Sequence, residues 1–305
     1  MDAKDPIGAL KAALEAEAIP FRSAEPLSRH TTFRIGGPAA VFCEPDTVAE
    51  LARALELCRA LGVRVYLLGN GSNTLFADEG FDGMVLSTLA LQTRRVTVED
   101  SRVFAGAGAS LRSLCTAAQA HGLAGLEFAY GIPGSVGGAV YMNAGAYGGE
   151  IKTVLCQASF LDETGALRTL PAADLQLGYR TSIFEKQPWC ILEAVFALQP
   201  GDPSAIAAKM ADLLGRRKEK QPLDVPSAGS TFKRPQGAYA GQLIEQCGLR
   251  GFRVGGAQVS EKHCGFVVNA DNATCADVVS LTDQVRRMVK EKTGFTLERE
   301  IRVVK

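Results

Sequence analysis

Apolar positions recur at helical spacing at Ile7, Leu10, Leu14 and Ala18, which predicts a short opening helix. A second helix is predicted from Thr47-x-x-Glu50, a capping-box pattern, followed by Val48, Leu51, Leu55 and Cys58 and stopped near Gly62. The β-branched and aromatic run at 63–68 reads as a strand leading directly into Gly69-Asn70-Gly71-Ser72-Asn73. Further strands are expected at 83–87, 95–98 and 102–105. Ser110 then caps a helix through Leu111, Leu114, Cys115 and Ala118 that ends at His121-Gly122. Beyond 150 the pattern becomes strands and turns, with a hairpin at Asp162–Gly165 and a buried strand from Trp189 to Leu198.

Asp202-Pro203 starts a helix predicted to run to Lys220 with a basic last turn. The Pro-, Gly- and Ser-rich stretch 221–237 reads as loop. Thr274-x-x-Asp277 opens the last long helix, closed by Gly294. The alternation from Thr296 to Val304 predicts a terminal strand with Leu297, Arg299, Ile301 and Val303 on one face and Glu298, Glu300 and Arg302 on the other. A second helix–strand series after residue 200 places a domain boundary there, dividing the chain into 1–200 and 201–305.

Composition sharpens this picture. Lys+Arg and Asp+Glu are 33 each, and no basic stripe marks a nucleic-acid-binding face. The eight cysteines lack CxxC spacing and read as buried thiols of a reduced cytosol. Histidines 30, 121 and 263 show no metal-ligand spacing, so no metal site is expected. The acid-containing N-terminus is no secretion signal, and the most apolar window, 122–149, holds nine glycines, one proline and Glu127, which is wrong for a spanning helix. A cytoplasmic enzyme-sized chain without a membrane span is expected.

Glycine, 32 of 305 residues, is the anomaly, and three clusters invite a phosphate reading. Gly106-x-Gly108-x-Ser110 lacks the third glycine of a dinucleotide turn and reads more simply as close packing of strand on helix. The 69–73 loop has no helix after it, but consecutive backbone N–H groups there form an anion-binding nest beside Ser72 and Asn73. The third cluster, Gly131-Ile132-Pro133-Gly134-Ser135-Val136-Gly137-Gly138 followed by Asn143 and Gly145, is dense enough to suggest a flat ligand against main chain. A set of tight turns is the other reading of the same residues.

Six motifs in order, TTFRIGGPA (31–39), LLGNGSNTLF (67–76), GLEFAYGIPGSVGGAVYMNAGAYGGEI (125–151), LGYRTSIF (177–184), PSAGSTFKRP (226–235) and LEREIR (297–302), resemble the UDP-N-acetylenolpyruvoylglucosamine reductase family over nearly the whole chain. The resemblance implies an α+β fold: a two-part FAD-binding domain of the vanillyl-alcohol-oxidase type, then a smaller α+β substrate domain whose terminal strand, 296–304, contributes to the active site. It implies noncovalent FAD with its pyrophosphate on Gly69–Asn73 and the 131–145 segment along the flavin, NADPH as hydride donor, and a UDP-sugar substrate of peptidoglycan precursor synthesis. It carries no expectation about an oligomer.

In such an enzyme hydride passes from flavin N5 to C3 of the enolpyruvyl ether and a proton to C2. The resemblance assigns Arg180 to the developing carboxylate charge, Ser230 to the proton and Glu300 to a place near the enol; Lys233, as a phosphate or carboxylate ligand, and Arg302, on the face of Glu300, are candidate substrate ligands. A planar, permanently charged guanidinium suits a carboxylate. Read alone, Arg180 is a surface ion pair, Ser230 a turn former, Glu300 an exposed strand edge and Lys233 a solvated lysine. The 50 residues from Arg180 to Ser230 resemble the family's shorter subtype. Arg234 departs from the usual Asn after Phe-Lys, and no role is carried onto it. Two other functions compete: an FAD-dependent oxidase of an alcohol or hydroxy acid, and a non-catalytic flavin- or nucleotide-sugar-binding sensor. The joint presence of Arg180, Ser230 and Glu300 favours turnover.

Overall fold

The structure, a computed structural model, describes residues 5–90 and 94–305. Residues 1–4, which open the segment read as no secretion signal, lie outside them. The helices are α1 (Pro6–Ala16), α2 (Val48–Leu61), α3 (Leu111–Ala120), α4 (Val136–Tyr141), α5 (Pro203–Lys220), α6 (Ala240–Gln246) and α7 (Cys275–Thr293). Their ends follow local chemistry. Thr274 accepts from Asp277 N while Asp277 returns to the backbone of Thr274, a complete capping box, and Gly294 closes α7 in the left-handed conformation. Ser110 caps α3 and Asp202 caps α5. At α2 only half of the expected box forms: Thr47 accepts from Glu50 N, but the Glu50 carboxylate takes the N–H of Asp46 instead.

The chain divides into two compact units, residues 1–23, 41–70 and 83–216 in the first and 24–40, 71–82 and 217–305 in the second. This differs from a single cut at 200. Helix α5 stays with the first unit as far as Arg216, and two early segments join the C-terminal unit.

In the first unit an antiparallel five-stranded sheet has the order Leu167–Pro171, Leu155–Leu161, Cys190–Ala197, Arg102–Gly106, Val96–Glu99. Helices α3 and α4 cover it in a core that includes Val103, Leu114, Val136, Val140, Phe160 and Phe196. Val65–Leu68 pairs in parallel with residues 84–87, and α1 and α2 bury Leu10, Leu14, Leu51 and Leu57 with Met84 and Leu86 in a second core. The strand at 190–197 is buried throughout except at Glu193 and Ala197, as its apolar run predicts.

In the second unit the order is Ser227–Ser230, Phe266–Asn269, Ala257–Val259, Arg253–Val254, antiparallel throughout, with α6 and α7 sharing a core built on Leu243, Ile244, Val267, Val278, Leu281 and Val285. Two expectations are corrected here. Ser227–Ser230 lies within the stretch read as loop, because Phe266–Asn269 supplies a partner and Gly229, at φ +74°, absorbs the register break. The terminal strand is only Arg302–Val304, parallel to Thr74–Phe76; residues 296–301 are held by other contacts, so Glu300 and Arg302 do not share one face of a continuous strand.

Candidate functional site

The first unit builds a cleft from small residues. Its walls are Asn70, Leu89, Arg94, Gly108, Ala109, Ser110, Ser113, Gly134 and Ser135. Two glycine loops zip together to make it: Leu111 N donates to Gly134 O (3.0 Å), Val136 N to Ala109 O (2.8 Å) and Gly137 N to Ala107 O (2.9 Å). Gly69 closes on the same segment, where a Cβ would lie 2.4 Å from Ser135 Oγ. Ser135 is itself buried and caps α4. Such a wall exposes main chain, hydroxyls and one guanidinium, a donor set that suits a diphosphate.

Sequence reasoning assigned 106–110 to packing and missed its part in this cleft. Both readings hold for Gly108: a Cβ there would meet Thr88 O at 2.3 Å, and its main chain lines the cleft. The signal was present in the N-cap Ser110, which turns the loop into a helix N-terminus but was not connected with a ligand. Several glycines of the third cluster answer to packing as well. Gly137 sits 2.9 Å (as a notional Cβ) from Ala107, Gly145 2.7 Å from Gly149 O, and Gly149 2.5 Å from the Phe128 ring.

Asn143, expected against the cofactor, has its amide engaged within the protein. It is 1% exposed, donates to Glu150 Oε2 and Gly178 O, and accepts from Lys152 N. Arg180 stands in the 178–181 turn at φ +57°, with its guanidinium 5.2 Å from the Tyr179 ring and Nη2 donating to Gly145 O at 3.1 Å. A left-handed arginine is a strained residue of the sort that clusters at functional sites.

The 69–73 loop passes from the first unit to the second at Asn70/Gly71. In the second unit Gly71, at φ +61°, packs on the backbone of His30 and Thr31, and its carbonyl accepts from Thr32 N. Asn73 ties this loop to the C-terminus: Nδ2 donates to Glu300 O (3.1 Å) and Arg302 N donates to Asn73 O (3.0 Å). Residues 230–233 run beside 298–300. Glu300 N donates to Thr231 O (2.8 Å), Phe232 bridges Arg299, and Lys233 N donates to Glu298 O (2.8 Å). Buried Thr231 fixes the strip by accepting from Val267 N. Ser230 and Glu300 thereby come into one neighbourhood from positions 70 residues apart. Lys233 Nζ is paired with Glu298 at 2.6 Å.

Helix α7 anchors the strip's far side. Arg286 Nε donates to Leu297 O, and Arg299 donates to Thr282 Oγ1 and Val279 O and pairs with Asp283. Sequence patterning gave Arg299 no role; its contacts with Thr282, Val279 and Asp283 of α7 supply one.

Two family models match this chain, one described as FAD binding domain over residues 38–171 and one as the C-terminal domain of UDP-N-acetylenolpyruvoylglucosamine reductase over 221–304. A reductase of that name from Caldanaerobacter subterraneus subsp. tengcongensis is 47% identical over 280 residues, 92% of each chain. The chain belongs to the UDP-N-acetylenolpyruvoylglucosamine reductase family. The Lachnoclostridium phytofermentans reductase is 48% identical over 284 residues, 92% of this chain and 91% of that one. The crystal structure of the Thermus caldophilus reductase superposes with a TM-score of 0.79 at 34% identity, covering 94% of this chain and 99% of that one. Membership makes the chain an FAD-dependent oxidoreductase, and the cleft beneath Gly69 falls inside the matched FAD-binding segment. No helix among the described residues is long and apolar enough to cross a membrane, and no described cluster of three or more His, Cys, Asp or Glu could hold a metal.

Proposed function

We propose that this chain reduces the enolpyruvyl ether of UDP-N-acetylglucosamine-enolpyruvate to UDP-N-acetylmuramate in the cytoplasm, with NADPH as reductant. Noncovalent FAD, when bound, supplies the hydride that reaches C3. In the first unit, Asn70 and the 108–110 and 134–135 main chain would hold its diphosphate beside the segments 131–133 and 137–138; Ser72 and Asn73, in the second unit, are assigned to the cofactor by the family resemblance. The chain's own task is to stabilise the charge that builds on C2 and the carboxylate, and to protonate C2.

Arg180 takes the carboxylate in a two-pronged contact and grows more strongly bound as charge develops there. Ser230 gives its proton to C2, and the carboxylate of Glu300 stands beside the same centre. Lys233 and Arg302 hold the polar remainder of the substrate. The observation that carries this reading is the pairing of 230–233 with 298–300, which brings together two residues of otherwise unconnected motifs and ties both to the 71–73 loop through Asn73.

Ser230→Ala tests it. NADPH should still bleach bound FAD at nearly the wild-type rate, since no substrate proton moves in that step. Reoxidation by the enolpyruvyl substrate should slow ~10² to 10⁴-fold, the range for a positioned acid. Stopped-flow absorbance that finds equal slowing of both phases sinks the assignment of Ser230, and a purified protein that neither carries nor takes up FAD sinks the whole reading.

A further inference from the structure

Asn143 lies outside any role the mechanism needs, yet every part of its amide is engaged. Both Nδ2 hydrogens are directed at acceptors, Glu150 Oε2 at 2.9 Å and Gly178 O at 2.8 Å, and Oδ1 accepts from Lys152 N at 2.9 Å. Only one orientation of an amide satisfies two acceptors and one N–H in that arrangement, so the assignment of its N and O is fixed. The residue is buried and left-handed at φ +41°, a backbone state that asparagine tolerates better than other side chains with an amide or an acid of greater length.

What the amide grips is the base of the Arg180 turn. Gly178 and Thr181 close that turn with reciprocal bonds, Gly178 N to Thr181 O at 3.0 Å and Thr181 N to Gly178 O at 3.4 Å. Arg180 within it reaches back to Gly145 O, two residues beyond Asn143. The 143–145 segment therefore holds the turn at its main chain through Asn143 and at its guanidinium through Gly145.

We infer that Asn143 is a positioning residue for the reaction: through Gly178 it fixes the 178–181 turn and so aims the Arg180 guanidinium, and its side chain does not hold the cofactor. This rests on the reading above that Arg180 receives the substrate carboxylate.

Asn143→Asp is the informative change. It keeps shape, left-handed tolerance and the acceptor for Lys152 N, but sets a carboxylate against Glu150 and against Gly178 O. In the holoenzyme, kcat at pH 8 should fall on the order of 10²-fold, the effect of a misplacement of about 1 Å at a reacting group. FAD affinity, followed by flavin fluorescence, should stay within about twofold. Two carboxyls in contact retain one proton to higher pH than either alone. Lys152 Nζ, 3.0 Å from Glu150 Oε1, opposes that retention, and a single retained proton between the carboxyls serves Glu150 and leaves Gly178 O without a donor, so turnover of the variant should stay low as pH falls.

A double-mutant cycle with Arg180→Lys separates the possible failures. If Asn143 acts through Arg180, adding Asn143→Asp to Arg180→Lys lowers turnover far less than adding it to wild type. Independent, multiplicative losses overturn the proposal, as does a tenfold loss of FAD affinity in Asn143→Asp. Near-normal turnover of Arg180→Lys alone overturns the carboxylate reading on which it stands. Should Asn143→Asp fail to fold, Asn143→Gly, which keeps the left-handed backbone and removes the amide, is carried through the same cycle and FAD titration, with the same non-additivity and unchanged FAD affinity expected.

Discussion

Replacing Gly71 by alanine should cost far more than the loss of one glycine's freedom. The residue sits at φ +61°, and an added Cβ would lie 2.1 Å from His30 O, 2.8 Å from Thr31 Cα and 3.0 Å from His30 C. All three are backbone atoms, so no side chain can swing aside. The left-handed conformation alone costs an L-residue roughly 1–2 kcal/mol. Forcing a methyl into a filled space adds about 1–3 kcal/mol. Gly62, the left-handed C-cap of α2 at φ +68°, has nothing within 4 Å of its notional Cβ and supplies the control, since only the first cost applies there.

Gly71→Ala should therefore exceed Gly62→Ala by about 1–3 kcal/mol in denaturant unfolding followed by circular dichroism. It should also displace Ser72 and Asn73, and each ~1.4 kcal/mol that binding must restore weakens FAD tenfold, giving a loss of roughly ten- to a hundredfold against none for Gly62→Ala. Equal destabilisation of the two variants would refute the close approach of Gly71 to the His30–Thr31 backbone. Unchanged FAD affinity in Gly71→Ala would remove this loop from the cofactor cradle.

Two further outcomes follow from burial. Seven of the eight free cysteines are buried, and burial pushes the thiols of Cys43, Cys58, Cys115 and Cys190 up to about 12, so in the native holoenzyme a chromogenic disulfide reagent should react quickly at one thiol, Cys156, and at eight after unfolding; two or more fast native thiols would contradict the packing. His263 is held below its ordinary value chiefly by burial, and its Nδ1 accepts from Gly265 N. A depressed folded value means that the unfolded chain takes the proton first, so this contribution to stability is present above about pH 6.5 and is lost as pH falls toward and through the folded value. His263→Gln should flatten the decline of the unfolding midpoint below pH 6.5, and a wild-type imidazole that titrates at or above 6.5 by NMR would refute it.

Helix ends were legible because their causes lie within four residues. Ser110, Asp202-Pro203 and the Thr274-x-x-Asp277 box each carry their own hydrogen-bond partner in the sequence, and each marks a boundary in the structure. Strands with a clear apolar run, such as 190–197, were legible even with distant partners, but strands lacking one were not. Ser227–Ser230 reads as loop because Pro226, Gly229 and two serines signal turns, and only Phe266–Asn269 makes it a strand. The end of the chain shows the reverse: its alternation is real in Leu297 and Ile301, both buried, but Arg299 is drawn to α7 and only 302–304 finds a strand to pair with. Likewise nothing local announces that 24–40 and 71–82 belong with the C-terminal unit. Phe33, Ile35 and Leu75 join a core otherwise built from residues beyond 217, and that choice is made by packing.

The site divides along the same line. The small residues that let main chain approach a ligand were visible as glycine density, but density cannot distinguish a glycine needed by a ligand from one needed by a neighbour. At Gly137, Gly145 and Gly149 the neighbour is within the protein, at Ala107, Gly149 and Phe128 respectively. Asn143 shows the ambiguity: a polar residue inside a glycine-rich segment reads as a ligand contact, while its amide partners in the structure are Gly178, Glu150 and Lys152. Buried amides without internal partners would be costly, and one with three is a structural fixture. Ser230 and Glu300 are placed differently, Ser230 by its strand and Glu300 by the bonds at its N–H and carbonyl. Those bonds are made by main chain and by the Asn73 amide, so they do not depend on which side chain stands at 230 or 300. A substitution at Ser230 therefore leaves these strip bonds in place and reports on the chemistry of the hydroxyl that was removed.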